Sequence, residues 1–190
     1  MSNNSNQRRI LLDLAVSLDG FIEGKNGEID WCIMEPEMDF TEFLKQIDTI
    51  LYGRKSYDLW GEFASQTPDE SDKEMWDLIH SKDKIVFSKT QTTSTDPKVR
   101  YINENIMEEV VKLKNQPGKD IWLYGGSDLI TTFINLGIVD EFRLSVHPVI
   151  LGGGKPLFID IEKRINLHLV DTRRFPSGVV QLIYHWNGQY

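Results

Sequence analysis

An α/β fold with a mixed, mostly parallel sheet is predicted by two features of the chain. Short apolar runs of strand length, "ILLDLAV", "TILY", "KIVFS" and "IWLY", alternate with stretches whose apolar residues recur at helical spacing. The last third then changes character, with long strand-like segments and no helix between the final two.

The run at residues 10–16 is almost continuously apolar, as in a strand buried on both faces, and its polar interruption, Asp13, needs a partner. Residues 17–36 hold Gly20, Gly24, Gly27 and Pro36 but also Phe21, Ile22, Ile29 and Trp31. A long loop with apolar anchors is expected to be functional. Phe40, Phe43, Leu44 and Ile47 then predict a helix, with Asp48 leading into the strand "TILY".

Met75, Trp76 and Ile79 form one face of a further helix before the strand at 84–88. "KVRYI" is a candidate strand. Asn103 is a candidate N-cap for a helix presenting Ile106, Met107, Val110, Val111 and Leu113, which Pro117 and Gly118 stop. After "IWLY", Ser127 is the N-cap of a helix with Leu129, Ile130, Phe133 and Ile134 inward and Gly137 closing it. Phe175 to Gly178 make a turn, and Val180, Leu182, Tyr184 and Trp186 alternate with polar neighbours along the last strand.

These 190 residues, 40% hydrophobic and 26% charged, suffice for one good core, so a single domain over residues 8–190 is expected after a fraying tail at 1–7. A net charge of −8 disfavours nucleic acid and anionic membranes as partners, so any anion must be bound locally. Cys32 is the only cysteine, which excludes a disulfide framework and fits a reducing cytoplasm. The polar start "MSNNSNQRR" lacks the apolar core of a signal peptide, and no stretch is apolar for long enough to span a membrane. His80, His147, His168 and His185 lack ligand spacing, so no metal site is expected, and Cys32 reads as structural.

Three strand ends carry donors suited to phosphate. "TILY" ends at Gly53 and is followed by Arg54, Lys55 and Ser56 at the start of a helix, where backbone N–H groups and the helix dipole already favour an anion. "IWLY" leads into Gly125, Gly126 and Ser127, and "KIVF" into Ser88, Lys89 and Thr90. Ordinary turn chemistry explains any one of these, but three together point to a ligand beyond the carboxyl ends of parallel strands. There is no GxGxxG, and "LGGGKP" differs from a P-loop in placing Pro156 after the lysine.

In the ordered combination of "LAVSLDGFI", "ILYGRKSYD", "WLYGGSDLI" and "VDEFRLSVHPVILGGGKPLF", the chain resembles the dihydrofolate reductase superfamily over nearly its whole length. The likeness is closest to the reductase domain of riboflavin biosynthesis and its stand-alone bacterial relatives. The resemblance implies a three-layer α/β/α fold with a carboxyl-terminal antiparallel hairpin, bound NADPH and a homodimer paired through the last strands. It implies Gly53, Arg54, Lys55 and Ser56 at the pyrophosphate and 2′-phosphate, Ser88 and Lys89 on the adenosine side, and Gly125, Gly126, Ser127 and Asp128 beneath the pyrophosphate. Ala15, Val16, Gly20 and Ile22 would line the nicotinamide, with Trp31 and Phe43 as apolar walls for the substrate.

Asp39 is the nearest match to the carboxylate that supplies a proton in classical relatives, with Glu37 or a water as alternatives and stabilisation of the helix start as its structural reading. Ser145 matches a strand hydroxyl that contacts a pterin, or else satisfies a neighbouring backbone group. Asp19 is a substrate ligand or a turn residue. The glycine-rich loop at 151–156 would shape the active-site rim or a subunit contact. The activity implied is reduction of a ribosylamino-pyrimidine, for whose phosphate Lys155 and Arg143 are the candidate cations, or of a pterin-like ring; a non-catalytic NADPH-binding module is the reading from another class.

Overall fold

The computed structural model describes residues 7–64, 73–186 and 188. It is α/β, with mostly parallel strands and an antiparallel pair at the carboxyl end. The chain divides into two compact units, Met1–Ile10 with Phe40–Gly126, and Leu11–Asp39 with Ser127–Tyr190.

In the first unit, α1 (Phe40–Gln46), β3 (Ile47–Gly53), α2 (Arg54–Ala64), α3 (Lys73–Ser81), β4 (Asp83–Phe87), β5 (Val99–Ile102), α4 (Ile106–Lys114) and β6 (Asp120–Gly125) follow one another. The strands lie in the order β5-β4-β3-β6, all parallel. β3 pairs with a strand on each edge and has α1 and α2 packed against it, and Ile50, Leu51 and Tyr52 are fully enclosed. Ile47 and Asp48, expected in a helix and a connection, open this strand instead. Arg8 explains why Asp48 tolerates that position: the buried guanidinium bonds the Asp48 carboxylate, Thr49 Oγ1 at 2.7 Å and the Lys119 carbonyl at 2.6 Å. A buried cation with three acceptors has recovered most of what it loses by leaving water.

α4 corrects two expectations. Asn105, not Asn103, occupies the cap position, while the Asn103 amide bonds the carbonyls of Ser88 and Gln91. Val110 and Leu113 are buried, but Met107 and Val111 face solvent at 45% and 38% exposure. The stripe is narrower than the run of apolar letters suggested.

The second unit holds β1 (Ile10–Ser17) from Leu11 onward, the short β2 (Phe21–Glu23), a 3-10 turn at Pro36–Met38, α5 (Ser127–Asn135), β7 (Glu141–His147), β8 (Lys155–Pro156), β9 (His168–Arg174) and β10 (Val180–His185). β1 runs parallel to β7, β10 antiparallel to β7, and β9 antiparallel to β10. α5 buries Leu129, Ile130, Phe133 and Ile134 as expected. Gly137 ends it in the left-handed region, φ 68°, with its N–H bonded to Ile134 and that of Ile138 to Phe133.

β10 departs from the expected alternation. Ile183 and the preceding Val179 are buried, whereas Val180, Leu182 and Tyr184 are half-buried. Both faces of this strand are covered to a similar degree, so the apolar letters do not select one. The glycine-rich loop pairs with the long loop: β2 and β8 are antiparallel, with Glu23 opposite Lys155. No helix among the described residues is long and apolar enough to cross a membrane.

Candidate active site

In the first unit the strand ends that lead into the three donor clusters lie side by side. Gly53 stands opposite Phe87 on one side, Tyr52 opposite Gly125 on the other, and all three strands are parallel. Their carboxyl ends therefore open in the same direction. A Cβ on Gly53 would stand 3.5 Å from the Gly126 nitrogen and 3.6 Å from the Gly125 carbonyl, so the absent side chain keeps a cradle open between the two junctions. The Gly125–Gly126 peptide is cis.

Arg54 begins α2 and pairs with Asp58 at 2.6 Å, both side chains partly exposed, while Lys55 is exposed and Ser56 half-buried. No acidic residue occupies the first turn of α2, so its amino-terminal N–H groups keep their positive potential. Ser88 is less available than expected. It is 7% exposed, and its hydroxyl accepts the N–H groups of Thr90 and Gln91, which shapes the loop; Lys89 remains exposed. Phe43 also departs from its expected role. Its ring is 5% exposed and lies 5.7 Å from Phe40 and 5.5 Å from Trp122, so the first unit's core absorbs it and it offers little surface as a wall.

In the second unit the long loop is fastened at both ends. The Asp19 carboxylate accepts Ser17 Oγ at 2.7 Å and the N–H groups of Leu151 and Gly152 at 3.1 and 2.8 Å. The Ser17 hydroxyl and these amides hold its pKa below the ordinary carboxylate value. Asp19 is thus a loop clamp. Glu35 accepts both Ser177 Oγ at 2.6 Å and Ser177 N–H at 3.3 Å. Asp39 ends the 3-10 turn in the left-handed region, φ 50°, exposed, with its N–H bonded to the Pro36 carbonyl. The buried setting of a proton-donating carboxylate is not what surrounds it here.

His147 is the residue the sequence concealed. It is buried, with Nδ1 2.9 Å from the Ser145 carbonyl, Nε2 3.3 Å from the Ile33 carbonyl, and its ring edge-on to Trp31 at 5.3 Å. It ties the loop bearing Trp31 to β7. Trp31 is half-buried and donates to the Glu28 carbonyl. Ser127 is buried at the first position of α5 and Asp128 is exposed; Ala15, Gly20 and Ile22 are half-buried and Val16 buried.

Strand register gathers a polar face. Ala15 pairs with Ser145, which pairs with Gln181, and Asp13 pairs with Arg143, which pairs with Ile183. Because side chains alternate along strands, Asp13, Ala15, Glu141, Arg143, Ser145, Gln181 and His185 all project to one side. Gln181 Nε2 donates to Ser145 Oγ at 3.3 Å, Arg143 bonds Glu141, and His185 Nε2 meets Glu141 at 2.9 Å. Asp13 keeps a partial opening to solvent, yet the protein around its carboxyl raises the pKa to about 7: burial is the main cause, opposed by Arg143 and Arg173 and reinforced by Glu141.

Cys32 is half-buried, and burial with Asp30 beside it pushes the thiol up to about 11. A thiol reagent at neutral pH should accordingly modify Cys32 roughly a hundredfold more slowly than free cysteine, because the thiolate is the reactive form. A colorimetric thiol assay with and without denaturant checks this.

A model of the RibD C-terminal domain matches residues 8–181. Among curated proteins, the uncharacterized protein YyaP of Bacillus subtilis is 69% identical over 189 residues, covering 99% of this chain and all of that protein. Among solved structures, a riboflavin biosynthesis protein from Shewanella, described as putative in its name, aligns with TM-score 0.78 at 23% identity, over 94% of this chain and 99% of that one. Dihydrofolate reductase from Enterococcus faecalis, complexed with NADP(H), aligns with TM-score 0.65 at 18% identity, over 95% and 98%. A Thermotoga maritima deaminase and 5-amino-6-(5-phosphoribosylamino)uracil reductase aligns with TM-score 0.66 at 15% identity; 95% of this chain spans 57% of that larger one. These likenesses show the dihydrofolate-reductase fold, and the family match places this chain in the RibD C-terminal domain family.

Proposed function

We propose that the protein is an NADPH-dependent reductase of a small planar nitrogen heterocycle or its ribosylamino derivative, akin to the uracil reductase of the Thermotoga protein. The observation that carries this reading is the shared edge of β3, β4 and β6, where the Gly53 cradle adjoins the cationic start of α2. Arg54 and Lys55 would hold the cofactor's phosphates, Arg54 exchanging Asp58 for a phosphate oxygen. Gly53 and Gly126 let the backbone approach that ligand closely. Bound NADPH supplies the hydride; the chain's own share is to orient the reacting partners and deliver a proton.

Titration with NADPH and with NADH, followed by quenching of the five tryptophans, tests the reading. NADPH should bind, and Arg54→Ala should weaken it roughly ten- to a hundredfold, the worth of a charge-assisted contact. Failure of both nucleotides to bind would overturn the proposal. A homodimer is the assembly we propose, supported by β9, which among the described residues pairs with β10 alone and exposes all seven of its residues, Leu169 and Val170 among them. Light scattering on the eluting protein decides between one copy and two.

A further inference from the structure

We propose that His147 is a proton-operated latch on the long loop: a proton on Nε2 fastens the loop at Ile33, and loss of that proton frees it there. The inference lies wholly within the second unit and does not depend on what the site binds. In the step, Nε2 takes a proton from water or buffer and the new N–H donates to the Ile33 carbonyl. The ring gains one positive charge, and nothing is oxidised or reduced.

The partners of the ring carry the argument. Nδ1 faces the Ser145 carbonyl at 2.9 Å and Nε2 the Ile33 carbonyl at 3.3 Å. A carbonyl oxygen only accepts, and a neutral imidazole has a single N–H, so a neutral ring satisfies one of the two and sets a lone pair against the other. Only the imidazolium donates to both. The contact within β7 is the shorter, so the neutral ring keeps its proton on Nδ1 and the loop contact is the one that yields.

The surroundings leave the charge of the ring to these carbonyls. His147 is buried, which opposes a charge, while the Trp31 ring centroid 5.3 Å away lies in the range over which an indole favours a cation. Among the described residues His147 makes no ion pair. Of the carboxylates near its neighbours, Asp19 is bonded to Ser17, which pairs with His147 from β1, Glu28 holds Asn26, and Glu35 holds Ser177. Asp30 and Cys32 flank Trp31 on the loop itself. Asp13 of β1, Arg143 and Glu141 of β7 and His185 of β10 stand four or more residues along the strands, about 13 Å or farther. Asp19 and Glu35 hold the ends of the loop, so release is local to the segment carrying Trp31. The fastened state binds one proton more than the released state, so fastening weakens as pH rises through the histidine range, about pH 5 to 8.

Nitrogen NMR of isotope-labelled histidine across that range reads the protons on each ring nitrogen directly and needs no variant to fold. Nδ1 should be protonated throughout and Nε2 only on the acid side. Hydrogen exchange reads the loop. The Cys32 amide is bonded to the Ile29 carbonyl and the Trp31 indole N–H to the Glu28 carbonyl. Their protection, corrected for the intrinsic exchange rate at each pH, should fall roughly three- to tenfold from the acid to the alkaline end, the worth of one hydrogen bond. The Leu151 and Gly152 amides, held by Asp19, should keep theirs. His147→Gln, which does not titrate, should abolish the response of the loop, an effect that a merely structural histidine would not show. A proton retained on Nε2 at the alkaline end, or one protonation state throughout, overturns the proposal. So does loop protection that stays constant, that falls equally at Leu151 and Gly152, or that keeps its pH dependence in His147→Gln.

Discussion

Gly154→Ala should lower the melting temperature by roughly 5–15 °C, from a loss of about 2–4 kcal/mol. Gly154 has φ 144°, a backbone that side chains rarely adopt, and a Cβ there would overlap the carbonyl oxygen of Glu23 and come within 3.1 Å of its carbonyl carbon and of Gly24 Cα. These are backbone atoms, so no rotamer change relieves the clash. The pairing of β2 with β8 would have to open, and with it the Glu23–Lys155 contact. Gly152→Ala is the control. It also has a positive φ, 67°, but a Cβ there meets nothing within 4 Å, so only the left-handed backbone penalty of about 1 kcal/mol applies. Calorimetric melting of both variants distinguishes a clash from a conformational penalty: equal shifts would show that the close approach to Glu23 is not what demands glycine.

That loop contact is one that local sequence does not encode. "LGGGKP" could be seen as a special turn, but its partner, Glu23, lies more than a hundred residues away in the chain, and no local pattern encodes so distant a pairing. Local signals fared better. Gly137 ends α5 as its position announced, and the apolar face of α5 is the one its spacing predicts, because both follow from a single turn of helix. The strand ends at Gly53 and Gly125 were visible as junctions; that they adjoin follows from the order β4-β3-β6, which the alternation of elements only suggests.

The candidate site was legible in outline and misleading in detail for the same reason. Residue type announces chemistry, but burial decides whether the chemistry is available. Phe43 and Ser88 have the right types for a substrate wall and a phosphate donor, yet the first lies within an aromatic cluster and the second serves its own loop. Asp19 likewise spends its carboxylate on Ser17, Leu151 and Gly152. His147 looked like one more scattered histidine, and only its two carbonyl neighbours reveal it as the tie between β7 and the long loop. Asp13 was the exception: a lone carboxyl in an apolar run signals from the sequence itself that something must balance it.

That balance should be measurable as stability against pH. The Asp13 carboxyl has an ordinary value of 3.8 when unfolded and about 7 in the folded protein. Between those values the native state holds a proton that the unfolded chain has released, so this group's contribution is complete below about pH 4 and is lost as pH rises through about 7. At about 1.4 kcal/mol per unit, the gap sets a ceiling on the order of 4 kcal/mol. Carboxylates whose pKa is lowered, such as Asp19, Glu28 and Glu109, act in the opposite sense and lose their contribution as pH falls. The difference between wild type and Asp13→Asn cancels those groups and isolates the one of interest. The asparagine keeps the shape and cannot ionise, so the variant should gain on the wild type as pH rises from about 4 to about 7 and be the more stable protein above that window. Urea midpoints across this range measure the difference directly; two curves that stay parallel would show that Asp13 does not titrate there, and that Arg143 and Arg173 outweigh the burial that raises it.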